Sequence, residues 1–348
     1  MKTIFVFLIA TVLLFVSCKE QLESRFASNL IDSSIMELKG DYMGQTLPDT
    51  IPELFAPNII SNGLMNRDIT FSPEGDEIYY SVTTSDYSYA AVLVSKMVDG
   101  IWSDPEVTPF SVSPEYITIE PCVSYDGSQL FFASDRPISN SKEKDDMNIW
   151  VVDRKGHDWG TQLPLDTLIN SSLGEFYPSI TKSGDLYFTR DEVSGISYVY
   201  RSKFVNGKYT KPERLPDQVN CGRNRFNAFV SPDESYIIIP ALGVEKDVTG
   251  VNYYISYRWA DDTWSEPLNM GLTINKDLGK GWSASLSPDG KYLFFMSSRG
   301  MNEGSKPTSL TYSFFQELQT VPQNGSADIY WIKSDFIEKL KIKVKKSK

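Results

Sequence analysis

Apolar and polar positions alternate along the chain in short runs, and one run returns five times. Ser287-Pro288-Asp289-Gly290 precedes Tyr292-Leu293-Phe294-Phe295-Met296-Ser297, which reads as a tight turn between one strand that ends and an aromatic strand that begins. Ser72-Pro73-Glu74-Gly75, Ser124-Tyr125-Asp126-Gly127, Thr181-Lys182-Ser183-Gly184 and Ser231-Pro232-Asp233-Glu234 stand before equivalent runs. Aligned on the first residue of each turn (72, 124, 181, 231, 287), the spacings are 52, 57, 50 and 56 residues. A strand-built unit of that length predicts a β-propeller. A closed ring of blades is one domain even at a length of 348 residues.

Each repeat offers four strands. Strand A ends at the turn, as in 68–71, and strand B is the aromatic run after it. Strand C falls at 91–97, 148–153, 197–203, 253–259 and 328–333. Strand D opens with an aromatic and a proline: Trp102 with Pro105, Tyr209 with Pro212, Trp264 with Pro267, and more loosely Trp159 with Pro164. Proline is tolerated there because an outermost strand lacks a partner for one row of N–H groups. The fifth repeat has no D strand of its own. Residues 52–60 match 104–110 in type and position, so this N-terminal segment is expected to close the last blade and pair its open edge. The expected fold is all-β, a propeller of five four-stranded blades. A sixth blade from residues 19–50 would lack a hairpin signal.

The N-terminus carries a different pattern. Lys2 is followed by an apolar stretch over 4–16, too short to span a bilayer comfortably, and then by Ser17-Cys18. This resembles a bacterial lipobox, cleaved before Cys18, whose thiol and new amino terminus are then acylated. Lys19-Glu20 resembles the charged export signal of Bacteroidetes-type lipoproteins, without a full acidic run. The expected organisation is a signal peptide at 1–17, a lipid-anchored tether at 18–50, the propeller at 51–340 and a basic tail at 341–348. An outer-membrane lipoprotein follows, facing the periplasm or the cell surface and touching the membrane through its N-terminal lipid only. A formal net charge of −11 argues against a nucleic-acid partner. Cys122 and Cys221 fall in the second and fourth repeats, an unpromising arrangement for a disulfide. A single histidine, His157, and the absence of any Cys-x-x-Cys leave no metal or cofactor site to expect.

The turns, the aromatic strand, the exits Ser134-Asp135-Arg136 and Ser297-Ser298-Arg299, and the strand Asp328-Ile329-Tyr330 together resemble the TolB-type WD-like β-propeller repeat over residues 52–335. The resemblance implies a scaffold for protein or ligand binding whose members need not be enzymes.

In a blade of this kind strand A runs down beside the central channel, so D–A and B–C connections share a top face and A–B and C–D turns lie underneath. Four places before each turn stand Asp68, Glu120, Tyr177, Asn227 and Ser283. Two places before come Thr70, Cys122, Ser179, Phe229 and Ser285. With a period of two these positions are expected to line the channel, with Phe71, Val123, Ile180, Val230 and Leu286 packing between blades. Arg67, Arg225 and Trp282 enter the strands at the top. Arg136, Arg190 and Arg299 leave strand B there, as partner contacts or as forks that stitch loops to neighbouring blades. The longest internal loop, residues 300–327, holds Leu310, Tyr312, Phe314, Phe315 and Leu318. Those residues are expected to wall a partner site beside the channel mouth or to cover the outside of a blade. The function expected is a binding or assembly module for a protein, peptide or envelope glycan. The alternative is a carbohydrate-active enzyme using the Asp68 and Glu120 carboxylates on adjacent blades.

Overall fold

In the computed structural model, which describes residues 38–138, 146–192, 195–276, 281–301 and 309–344, each repeat folds into one antiparallel sheet. Blade 1 comprises Met65–Phe71 (A), Glu77–Thr83 (B), Ala90–Val98 (C) and Glu106–Val107 (D). Blade 2 comprises Thr118–Val123, Gln129–Ser134, Asn148–Lys155 and Leu163–Pro164; blade 3 comprises Glu175–Ile180, Leu186–Asp191, Ser197–Ser202 and Glu213–Arg214. In blade 4 strand A is split into Asn224–Arg225 and Phe229–Val230, ahead of Tyr236–Leu242, Val251–Tyr257 and Leu268–Asn269. Blade 5 comprises Ala284–Leu286, Tyr292–Ser297 and Asp328–Lys333. Its D strand is Glu53–Leu54, with Glu53 opposite Trp331 and Leu54 opposite Tyr330. The five-bladed ring closed by an N-terminal strand is therefore present as expected. The signal peptide, Cys18 and most of the tether lie outside the described residues, as do residues 345–348 of the basic tail.

The A–B turns form because their side chains satisfy their own backbone. Ser287 Oγ accepts from the Tyr292 N–H at 3.0 Å, and Asp289 Oδ1 accepts from the Lys291 N–H at 3.1 Å. Ser231 and Asp233 do the same in blade 4. Gly290, at φ 72°, supplies the left-handed residue the turn requires. Apolar residues of strands A to C then fill the seams between blades. At the closure seam Phe71 and Phe294 lie 4.8 Å apart, and Phe55 and Trp331 5.2 Å apart. Full burial of side chains of this size stabilises by about 1.5–3 kcal/mol each.

Two features differ from the expected pattern. The aromatic of Trp102-Ser103-Asp104-Pro105 belongs to the C–D hairpin, where Trp102 pairs with Met97, and strand D proper begins only after the proline. Residues 40–50, assigned to the tether, are packed on the propeller, and the packed unit begins at Gly40. Trp102 Nε1 donates to the Gly40 carbonyl at 2.8 Å. Tyr42 sits 5.3 Å from Trp331 and 5.4 Å from Tyr292, Met43 is buried, and the Gln45 amide bridges the Leu54 carbonyl and the Ala56 N–H. This strap seals the underside of the seam between blades 5 and 1. At the other end, a short helix α2 (Phe336–Lys341) buries Ile337, whose carbonyl accepts from the Tyr257 hydroxyl at 2.6 Å. Among the described residues no helix is long and apolar enough to cross a membrane.

The D strands are only two residues long, and a side chain extends their pairing. Asn170 accepts from the Ile149 N–H at 2.8 Å and donates to the Ile149 carbonyl at 2.9 Å, so it stands in for one more residue of the ladder. Asn220 does this to Val199, and Asn275 to Tyr253. Ser61 exchanges both bonds with Ile329 through one hydroxyl, while in blade 1 Ser111 Oγ accepts from the Val92 N–H. Its recurrence (Ile60-Ser61, Phe110-Ser111, Ile169-Asn170, Val219-Asn220, Ile274-Asn275) is a second repeat signal in the sequence, one absent from the strand reading above.

Candidate functional site

Strand A does not keep its alternation up to the top. Its register against strand B shifts between Arg67 and Thr70, between Ile119 and Cys122, and between Phe176 and Ser179. The residue inside each bulge is left-handed: Asp68 at φ 56°, Glu120 at 61° and Tyr177 at 51°. Such a conformation costs of order 1–3 kcal/mol for a non-glycine residue and persists only where neighbours over-determine it. Here each rotated N–H finds an acceptor on the adjacent blade. Asp68 donates to Ser283 Oγ at 3.1 Å, Glu120 to Ser81 Oγ at 2.9 Å and Tyr177 to Glu120 Oε2 at 2.7 Å.

The side chains complete a hub on the axis. Arg67 Nε donates to Asp68 Oδ2 at 2.6 Å, and its Nη2 donates to Glu120 Oε1 at 2.8 Å, an oxygen that also accepts from Asn227 Nδ2 at 2.8 Å. The guanidinium lies 5.8 and 5.5 Å from the ring centroids of Tyr87 and Trp282, which pack against each other at 6.4 Å, and Nη1 donates to the Tyr87 hydroxyl. Tyr177 reaches across the channel and donates to the Ala284 carbonyl at 2.8 Å. All five blades meet in this network. Its ionic members are buried, Arg67 being 3 % exposed, Asp68 2 % and Glu120 3 %. Burial pushes the Glu120 carboxyl up to about 7; Arg67 opposes this and Asp68 adds to it. Burial opposes charge on Arg67, but Asp68, Tyr87 and Glu120 together hold its pKa above the ordinary value.

The expected channel-mouth contacts are thus spent on one another. Asp68, Glu120, Tyr177, Asn227 and Ser283 form the hub, and Arg67 plugs the axis beneath half-buried Trp282. Arg225 is buried and stacks on Tyr198 at 4.4 Å. Arg299 Nη2 donates to the carbonyls of Thr273 and Ile274, both at 2.8 Å. Arg136 and Arg190 do likewise to Phe110 and Ile169, so these arginines stitch B-strand exits to D–A loops. The carboxylate pair of the enzyme alternative shares one guanidinium and has no face to offer a glycosidic bond. His157 is exposed in its C–D turn, and Cys122 and Cys221 are free thiols. Burial pushes the Cys122 thiol up to about 11, away from nucleophilic reactivity. Among the described residues no group of three His, Cys, Asp or Glu side chains could hold a metal.

The aromatic loop behaves differently. A helix α1 (Tyr312–Leu318), N-capped by Thr311, has no buried residue. Tyr312 is 79 % exposed and Phe315 48 %, while Phe314 is half-buried and packs edge-on against Phe315 at 5.6 Å. Yet the backbone after the helix is pinned. Asn324 donates to the carbonyls of Gly63 and Leu318, both at 3.0 Å, and a Cβ at Gly63 would run into the Gln319 carbonyl. Leu64, next in the chain, lines an apolar groove of about 430 Å3 on the top of blade 1, with Tyr89, Leu93, Val107, Val112 and Tyr116. Beneath the hub the channel is open. A cavity of about 240 Å3 lies below Tyr177, reached between the A–B turns.

No protein-family model matches the chain, and no curated protein matches it. Among solved structures it is similar to a protein provisionally assigned as TolB from Agrobacterium tumefaciens, at 14% identity over 77% of this chain and 90% of that one, with a TM-score of 0.44. A puromycin-hydrolyzing peptidase from Mycobacterium tuberculosis matches at 13% identity over 70% of this chain and 36% of its own length, TM-score 0.40. The catalytic domain of a GH62 α-L-arabinofuranosidase from Coprinopsis cinerea matches at 8% identity over 77% and 90%, TM-score 0.42. No activity passes to this chain from matches this distant. The propeller architecture rests on the strand pairing itself, and it is the architecture that the TolB-type repeats imply.

Proposed function

We propose that this chain is a cell-envelope lipoprotein, acylated at Cys18, whose propeller docks a protein partner on its top face through α1 and the rim of blade 1. One observation carries the docking reading: α1 exposes Tyr312 and Phe315 on a backbone held in place by Gly63 and Asn324. Aromatics that served as packing would be buried, whereas a held, exposed aromatic is what recognition surfaces present. A protein fits better than a glycan because the neighbouring groove is mostly apolar and would leave sugar hydroxyls unpaired. The enzyme alternative has lost its one carboxylate pair to Arg67.

A photoreactive residue placed at Tyr312 should give a discrete protein adduct in intact cells, and one placed at Lys208, in an underside turn, should not. Equal labelling from both positions, or a top-face adduct that survives Phe315→Ser undiminished, would remove the docking reading. Anchoring is tested separately: Cys18→Ala should abolish acyl labelling and detergent partitioning. A variant still labelled and partitioned like the wild type would end the lipoprotein reading.

A further inference from the structure

The lower channel is not explained by docking on the top face. Its walls come from the last residues of the A strands, its roof is Tyr177, and its rim includes Pro73, Pro288, Tyr125 and Lys182. Thr70 Oγ1 accepts from the Val123 N–H, and Ser179 Oγ from the Val230 N–H at 3.0 Å, each tying one blade to the next. Neither hydroxyl has an acceptor for its own proton among the described residues. Ser285, the equivalent position in blade 5, turns its Oγ into the wall, where it is buried and has no partner among the described residues. A hydroxyl can donate once and accept twice, so the Thr70 and Ser179 sides of the cavity present unused hydrogen-bonding capacity between apolar residues such as Phe71, Ile180 and Phe229.

The charge around the cavity limits what fits. In a chain with 45 acidic residues, no carboxylate lines it, so a cation entering would lose its hydration without a partner. Lys182, the one charged residue of the lining, is exposed at the outer rim, while an anion inside would sit under two carboxylates served by a single guanidinium, with Glu120 bonded to the Tyr177 N–H that roofs the space. A hydrocarbon would leave the hydroxyls unsatisfied. A neutral ring bearing several hydroxyls avoids all three penalties. The volume, about 240 Å3, is below the roughly 300–1,000 Å3 of sites for drug-sized ligands, which suits one such ring. A second groove of about 200 Å3 continues outward between blades 2 and 3. It shares Tyr125 and Lys182 with the cavity, and Gln129, Phe204 and Tyr209 also line it. Aromatic faces beside amide and hydroxyl groups are what a further sugar unit would need there.

We infer that the lower channel binds the end of a neutral glycan, one sugar ring beneath Tyr177 and the next unit over Tyr125. The site lies on the opposite face from the docking surface and stands or falls independently of it.

Saturation-transfer NMR and calorimetry on the full chain would test this with glucose, galactose, N-acetylglucosamine and a linear trisaccharide of each, against glucuronate and glucosamine as charged probes. A neutral monosaccharide is expected to bind with Kd of about 1 mM and its trisaccharide about tenfold tighter. Thr70→Val and Tyr125→Leu should each weaken binding by about fivefold or more while leaving the folded circular dichroism spectrum unchanged. The inference is overturned if no neutral probe gives saturation transfer at ~10 mM. Tighter binding of a charged probe, or binding indifferent to both substitutions, overturns it as well.

Discussion

The upper and lower halves of the central channel are built by the same five strands and end up opposite in character. Above, long side chains (Arg67, Glu120, Tyr177) meet on the axis and close it with a hub of charge-assisted hydrogen bonds. Below, the positions two residues before each turn are Thr70, Cys122, Ser179, Phe229 and Ser285, mostly too small to reach one another, and a cavity remains. A ring of five blades leaves a gap on its axis, and side-chain length at two positions per blade decides whether it fills. The filled half holds the ring together, and the open half is available for a ligand. Sequence patterning puts both sets on one polar stripe. The bulges separate them, because they turn the backbone of Asp68, Glu120 and Tyr177 toward the neighbouring blade.

The comparison breaks most visibly at Arg67. Truncating Arg67→Ala leaves two buried carboxylates without their cation, and removing one partner of a buried ion pair typically costs about 3–5 kcal/mol. The urea midpoint should fall accordingly. Combining Arg67→Met with Asp68→Asn and Glu120→Gln should recover much of that loss, since a neutral hub no longer buries charge. A single variant as stable as the wild type would mean that the hub does not close the ring.

The lower half depends on the strap. A chain beginning at residue 40 should match the full chain in stability. One beginning at residue 46 loses the packing of half-buried Tyr42 and buried Met43 and should be less stable by about 2 kcal/mol. Matching thermal unfolding curves would show that the strap merely lies against blade 5.

The sequence made the blades legible because their signals are local: a serine or aspartate that bonds its own turn, an aromatic run, a proline at an edge. What it concealed depends on distance along the chain. Tyr42 finds Asp289 across 247 residues, and nothing in residues 40–50 repeats. The Asn170, Asn220 and Asn275 brackets act over 21 or 22 residues, although their fixed place after Ile or Val could have been noticed. The hub was hidden for a different reason. Polar residues at a channel mouth look like ligand contacts until their partners are seen, and Arg67, Asp68 and Glu120 are one another's partners. The sequence leaves Tyr312, Phe314 and Phe315 open to recognition or packing, and their exposure is a tertiary property that the chain pattern does not carry.

Stability should also register the hub through pH. Burial raises Glu120 from 4.5 to about 7 and Asp328, beside the top of blade 5, from 3.8 to about 7. A carboxyl whose folded pKa is raised favours the folded state fully below its unfolded value, and that contribution is lost as pH rises through the folded one. Stability should therefore decline between about pH 4 and about pH 7, with a slope of at most about 1.4 kcal/mol per pH unit for each group. Glu77, Asp126, Asp233 and Asp289 are shifted downward; their contribution is lost only on acidification below that window. In Glu120→Gln the decline should shrink to the share of Asp328 and of Glu175, which burial also shifts upward. An undiminished slope would place the titration elsewhere.

The finest test enlarges one serine in each half. Ser283 Oγ accepts from the left-handed Asp68 amide in the filled half, whereas Ser285 lines the cavity through the rest of its residue, its unbonded Oγ being turned into the wall. Both serines lie on the same segment of blade 5, two residues apart, so strand propensity and position are nearly matched. Ser283→Leu removes an acceptor from a buried N–H and forces extra methylenes into packed space, which together should cost about 2–4 kcal/mol. Ser285→Leu enters open volume and relieves an unsatisfied hydroxyl, so its effect should stay within about 1 kcal/mol in either direction. The measurement is the difference between two denaturation midpoints on otherwise identical chains. A large loss from Ser285→Leu would show that the lower channel is narrower in solution than its walls imply, and the two halves would then differ in chemistry alone. A negligible loss from Ser283→Leu would show that the bulge at Asp68 needs no acceptor, and the hub would reduce to its ionic contacts.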